Sequence, residues 1–210
     1  DFERQSLLIS ELSHQSPCLL KADFNKDGLE DVFIGGASGQ AASLYFQSTN
    51  QTFEKQQIAA FEPDQLSEDS DAIAFDANGD GWLDIYVTSG GYHLFTTGDL
   101  DLQDCLYLND GNGNFNKAKN AIPEIFTNTT SVVSADFNDD DFPDLFVGGG
   151  FRAGRYPESS TSHILLNDGK GKFEEVTSKV VGEVATIGMV SDAIATDLNL
   201  DGHLDFVTVG

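Results

Sequence analysis

Four segments of the chain align without gaps, and this repetition constrains the fold more than any other feature. They read Asp23-FNKDGLEDVFIGG, Asp76-ANGDGWLDIYVTSG, Asp136-FNDDDFPDLFVGGG and Asp197-LNLDGHLDFVTVG, and their starts lie 53, 60 and 61 residues apart. Each follows a short apolar stretch and runs into a β-rich one. A second element follows the first three. It ends at Phe53, Phe115 and Phe173, and in the last two it carries Asn-Asp-Gly, residues that tolerate the positive φ of a tight hairpin turn. One unit therefore reads as strand, acidic loop, strand, connector, strand, turn, strand. A sheet of four strands every ~50–60 residues is the size of one propeller blade, and such a sheet needs neighbours to cover its faces.

The expected fold is all-β: a β-propeller of four-stranded antiparallel blades, about three and a half of them present. Blade one is placed at 17–60, blade two at 70–122 and blade three at 130–180. A partial blade four occupies 190–210. The stretch EPDQLSEDSD at 62–71 reads as a solvated acidic connector. The count suits a fragment of a larger ring within a longer chain. A four-bladed ring is the alternative.

Carboxylates and amides recur at positions 1, 3, 5 and 9 of every loop. The first loop offers Asp23, Asn25, Asp27 and Asp31; the second offers Asp76, Asn78, Asp80 and Asp84. The third offers Asp136, Asn138, Asp140 and Asp144, and the fourth Asp197, Asn199, Asp201 and Asp205. Position 7 would add a main-chain carbonyl from Leu29, Trp82, Phe142 or His203. An all-oxygen set of this kind suits Ca²⁺, a hard cation that takes six to eight oxygens at ~2.3–2.6 Å. One ion per loop gives about four Ca²⁺. Position 6 needs positive φ and is Gly28, Gly81 and Gly202 in three loops; Asp141 replaces it in the third. The EF-hand is excluded because its Glu at position 12 is here Ile34, Val87, Val147 or Thr208.

The charge agrees. Thirty-five acids against 11 bases give a net charge of −24, which disfavours nucleic acid and anionic membrane surfaces. No segment is long and apolar enough to insert into a bilayer. Cys18 and Cys105 lie in no CxxC and read as buried free thiols, with a disulfide as the alternative. No nucleophile elbow, zinc motif or phosphate loop is present, and His14, His93, His163 and His203 have no partner at catalytic spacing. Catalysis is not expected.

The loops, with LLKADFNKDGLEDVFIGGASGQ, LYLNDGNGNF, DLFVGGGFRAGRYP and GMVSDAIATDLNLDG, resemble the FG-GAP/VCBS repeats of integrin α-subunits, and within them the ASPIC/UnbV (cartilage acidic protein-like) proteins. The resemblance implies an exported, extracellular or periplasmic protein and a closed ring of about seven blades. It also implies a non-catalytic recognition or adhesion module for a protein or glycan. A propeller that carries or supports a polysaccharide hydrolase or lyase, and a purely structural repeat, are the alternatives.

Long loops on a rigid scaffold are where function usually sits. The long connectors at 90–104 and 148–162 lie on the face opposite the acidic loops. They carry Tyr92 and Phe95, exposed-looking aromatics that read as ligand-face residues or, more often, as packing residues, and the Arg152, Arg155 and Tyr156 cluster, read as a ligand patch or as arginines paired with neighbouring acids. Asn-x-Thr sequons stand at Asn50 and Asn128.

Overall fold

The computed structural model describes residue 7 and residues 17–91, 95–182 and 186–210. Fourteen strands are found among them. The first sheet comprises β1 (Leu19–Ala22), β2 (Asp31–Ile34), β3 (Ser43–Gln47) and β4 (Phe53–Lys55). The second comprises β5 (Glu68–Phe75), β6 (Asp84–Gly90), β7 (Cys105–Asn109) and β8 (Phe115–Lys117). The third comprises β9 (Thr129–Ala135), β10 (Asp144–Gly149), β11 (His163–Asn167) and β12 (Phe173–Glu175), with one short helix, α1 (Thr177–Val180), after it. β13 (Asp192–Thr196) and β14 (Asp205–Val209) form a fourth, two-stranded sheet. Strands in each sheet pair antiparallel in chain order. β1 touches β5, β5 touches β9 and β9 touches β13, so the first strands of successive blades line one side. This is a propeller-like array of blades, and its sheets do not close on themselves.

The second strand of each inner blade shows why the unit repeats. Every residue of β6 is buried. Its alternating side chains serve two different cores. Ile85 and Val87 pack with Phe24, Phe33, Leu44 and Phe61 of the first blade. Tyr86, between them, packs with Val132, Leu145, Val147 and Leu165 of the third. β10 does the same one blade on: Leu145 and Val147 face backwards, while Phe146 faces Val190, Ala193 and Phe206. A strand with two apolar faces cannot satisfy both in a single sheet, so each blade depends on its neighbours for most of its hydrophobic stabilisation.

The stretch at 62–71 is not a solvated connector. Glu62–Asp64 forms a 3-10 turn, and from Glu68 the chain is already in β5. Its acids clamp blades together. Asp64 accepts from Tyr107 Oη at 2.7 Å and pairs with Lys117 at 2.5 Å. Asp69 accepts from the Gly36 amide of the first blade at 2.6 Å, and Asp71 from Val132 of the third at 2.9 Å. Acidic composition reads as solvent exposure only when no neighbouring amide needs an acceptor.

Candidate functional site

The four acidic loops share one backbone. In each, the position 1 carboxylate accepts from the amides of positions 5 and 6: Asp23 from Asp27 and Gly28 at 3.1 and 2.9 Å, Asp76 from Asp80 and Gly81 at 3.2 and 2.7 Å. Asp136 and Asp197 repeat this. The position 5 carboxylate accepts from the amide of position 7 in all four. Position 6 has positive φ as expected, with Gly28, Gly81 and Gly202 at +85°, +86° and +90° and Asp141 following at +69°.

Position 4 is also left-handed in every loop, which no glycine pattern announced. Lys26, Gly79, Asp139 and Leu200 stand at φ +57°, +75°, +60° and +62°. A leucine there costs about 1–2 kcal/mol against right-handed backbone.

Position 9 departs most from its expected role. Asp31, Asp84 and Asp144 are completely buried. Each sits in register opposite the last residue of the preceding strand, as does Asp205. One oxygen accepts from the amide of position 2: Phe24 at 3.0 Å, Ala77 at 2.9 Å, Phe137 at 3.1 Å and Leu198 at 3.0 Å. The other oxygen accepts from the third strand: Asp31 from Gln47 at 2.9 Å, Asp84 from Asn109 and Asp144 from Asn167 at 2.8 Å. This carboxylate therefore braces three strands in addition to anything it offers an ion.

Burial pushes Asp31, Asp84 and Asp144 up from the ordinary carboxylate range, Asp84 to about 6. Their amide donors pull the other way, and the loop aspartates at positions 1 and 5 push up again by like-charge repulsion. Among the described residues, no lysine or arginine pairs with positions 1, 3, 5 or 9.

The donor set, three carboxylates and one amide, fits a hard cation. In the conformation described, no three acidic or imidazole side chains converge closely enough to hold a metal among the described residues. The position 3 amide accepts from the position 5 amide N–H and donates its Nδ2 to the position 5 carboxylate, as Asn25 does to Asp27 at 3.1 Å and Asn78 to Asp80 at 3.0 Å. Asn138 and Asn199 do likewise. Rotation of that one side chain would remove the N–H group from the position 5 oxygen.

Side chains at position 7 pack on the hairpin turn of their own blade. A Cβ on Gly111 would strike Trp82, and one on Gly169 would strike Phe142. Position 4 then meets position 7 of the next blade. Lys26 Nζ lies 4.3 Å from the Trp82 ring centre, and the exposed His203 ring approaches Asp139 at 3.6 Å. The Asn of the hairpin turn reaches back further. Asn109 Nδ2 donates to the Phe24 carbonyl of the preceding blade at 2.9 Å, and Asn167 to that of Ala77 at 2.9 Å.

The opposite face is built from unlike parts. Phe95 is not a surface aromatic: it is buried with Leu102 and Ala153, where it joins the two long connectors. Tyr92 lies outside the described residues. Arg152 and Arg155 both turn to Glu158, at 3.5 and 3.3 Å, and Tyr156 packs edge-on against Phe151. Asn128 is 1% exposed and donates Nδ2 to the Phe151 carbonyl at 2.9 Å, so its sequon is closed to a glycan in this fold. Asn50 lies in an exposed turn. Cys18 and Cys105 are free, and burial pushes both thiols up to about 12.

With this geometry in place, the family is clear. The profile of the FG-GAP-like repeat matches residues 23–87 and 89–147, more than half of the chain. The chain belongs to the FG-GAP-like repeat family. The first matched segment of this FG-GAP-like chain starts at the first acidic loop and the second starts within β6, and together they contain the first three of the four loops whole. No curated relative matches the chain. A solved structure of similar fold is that of an Agrocybe aegerita lectin, described as recognising non-reducing terminal N-acetylglucosamine. It is 20% identical, with a TM-score of 0.54 over 90% of this chain, which spans 45% of the lectin. That likeness shows the fold. Among the described residues, no helix is long and apolar enough to cross a membrane.

Proposed function

We propose that the chain is a calcium-stabilised recognition module of an exported, ASPIC/UnbV-like protein, non-catalytic, with ions in the loops and its partner on the opposite face. The observation that carries this reading is the contrast between those faces. One presents four loops with a single hydrogen-bonding plan; the other presents connectors of different lengths and chemistries. Uniformity across repeats is what a scaffold needs, and variation on a rigid scaffold is what recognition needs.

Bound Ca²⁺ would supply positive charge to three crowded carboxylates at the mouth of a core strand. Positions 1, 3 and 5 and the position 7 carbonyls of Leu29, Trp82, Phe142 and His203 would hold it, with position 9 offering lone pairs its amide donors leave free. Removing the ion restores the repulsion, and folding stability falls by linkage. The lectin on the same fold, which recognises a terminal sugar, supports a glycan as the partner class.

The test is equilibrium dialysis with ⁴⁵Ca²⁺, paired with melting in calcium and in EDTA. About four ions per chain and a melting point several degrees lower in EDTA are expected. Fewer than two ions per chain, or identical melting curves, would overturn the metal assignment. A glycan array with and without EDTA tests the recognition half separately.

A further inference from the structure

Three connectors on the face opposite the acidic loops enclose a pocket of about 260 Å³. Thr97 and Leu102 come from the β6–β7 connector, Phe126 to Asn128 from the link between the second and third blades, and Arg152 to Thr161 from the β10–β11 connector. No single repeat could form it, which is why no motif announced it.

Its lining has a consistent chemistry. Hydroxyls come from Thr97, Thr127, Ser159, Ser160 and Thr161, an amide from Asn128 and one positive charge from Arg152. Among the described residues, no carboxylate lines it. Leu102, Phe126 and Ala153 supply an apolar wall. Several of the polar groups are held in place from behind. Arg152 Nε donates to Thr97 Oγ1 at 3.3 Å, and Asn128 Nδ2 and Ser160 Oγ both donate to the Phe151 carbonyl, at 2.9 and 3.3 Å.

Two neighbouring wall residues carry unpaired atoms beneath the pocket surface. Thr127 Oγ1 and Asn128 Oδ1 are buried out of reach of the pocket, without a hydrogen-bond partner among the described residues. A buried polar group left unpaired costs about 1–3 kcal/mol.

We infer that this pocket binds one uncharged sugar unit, a deepening that rests on the recognition reading above. Size is the first argument, since the volume lies just below the ~300–1,000 Å³ of sites for drug-sized ligands. Chemistry is the second. Sugar hydroxyls both donate and accept, matching a wall of hydroxyls, while the C–H face of the ring suits Leu102 and Phe126. Charge is the third. A cation finds no carboxylate in the lining, and an anion meets a chain of net charge −24 whose local arginine already faces Glu158.

The experiment titrates the ¹⁵N-labelled chain, in calcium, with neutral methyl glycosides of glucose, galactose, mannose and N-acetylglucosamine. Methyl glucuronoside serves as the charged probe. At least one neutral glycoside should shift the amides of Thr127, Asn128, Arg152 and Ser160 saturably. Thr161→Val should weaken that glycoside about tenfold, the loss of one hydrogen bond. It should do so with little change in the melting point, because that residue is only half-buried. Arg152→Ala should weaken binding too and gives a second route if Thr161→Val fails to fold. Saturable shifts that fall elsewhere, or variants that bind like the parent, overturn the pocket and leave the recognition reading standing. Binding of the glucuronoside alone overturns the ligand class. No binding of any glycoside overturns the inference, and a glycan array that is also blank removes the glycan reading with it.

Discussion

The two faces of the blades obey different rules. On the loop face, residues separated by 53 to 61 positions make the same bond to the same kind of atom: a ninth-position carboxylate to a second-position amide, four times over. At the connector end the bracing beneath the loops still recurs, with Ser70 and Thr130 each donating to a carbonyl of the next blade, but the connectors themselves do not repeat. The β2–β3 connector spans 35–42, whereas the β6–β7 and β10–β11 connectors span 91–104 and 150–162 and carry different chemistry. Repetition marks the positions where backbone geometry leaves no freedom. Its absence marks those where side chains answer to something other than the fold.

The sharpest way to break this contrast is to separate bracing from ion binding within one loop. Asp84→Ala strands the buried amides of Ala77 and Asn109, and should cost about 2–5 kcal/mol in EDTA and at least as much in calcium. That corresponds to a melting point lower by about 10 °C. Asp80→Ala should be costly in calcium and nearly silent in EDTA. If Asp84→Ala, like Asp80→Ala, is nearly silent in EDTA, the ninth position is a ligand and no brace. A smaller effect is expected at the joint between blades, where Asn109→Ala removes donors to the Phe24 and Leu83 carbonyls and should cost about 1–2 kcal/mol by urea titration.

Acidity separates the regions in another way. Behind the connector face, fully buried Asp104 accepts from Ser89 N, Thr129 Oγ1 and Tyr86 Oη, yet burial pushes it up to about 7. Burial holds Asp69 at about 6. Folded values above the unfolded ~3.9 mean that the native state holds more protons between these limits, so stability declines as pH rises from about 4 through 7. Melting in EDTA should therefore fall from pH 5 to pH 8, and Asp104→Asn should flatten the slope. A curve that rises over this range contradicts the assignment. The smallest expected change is Asp141→Gly, which relieves left-handed backbone at φ +69° and should raise stability by about 0.5–1 kcal/mol.

These contrasts also show what the sequence can and cannot disclose. The loops, strands and hairpin turns were legible because spacing, glycine and alternation are local properties. The left-handed fourth position was hidden, because Lys26 and Leu200 are poor formers of that conformation and are held there by the loop around them. The strand character of Glu68 to Asp71 was masked by acidity, whose amide partners lie in other blades. A packing role for Phe95 could be read from its type, but not its partner, because Ala153 is 58 residues away. The pocket belongs to three connectors at once, so no stretch of the chain contains it.

The reach of Asn109 and Asn167 into the preceding blade has one more consequence. Both grip a main-chain carbonyl, at a position occupied by phenylalanine in one blade and alanine in the other. A coupling that reads only the peptide unit is indifferent to which repeat stands upstream. Blades joined this way can be duplicated, reordered or exchanged during evolution without any compensating mutation at that contact, and the connector loops are free to diversify one copy at a time.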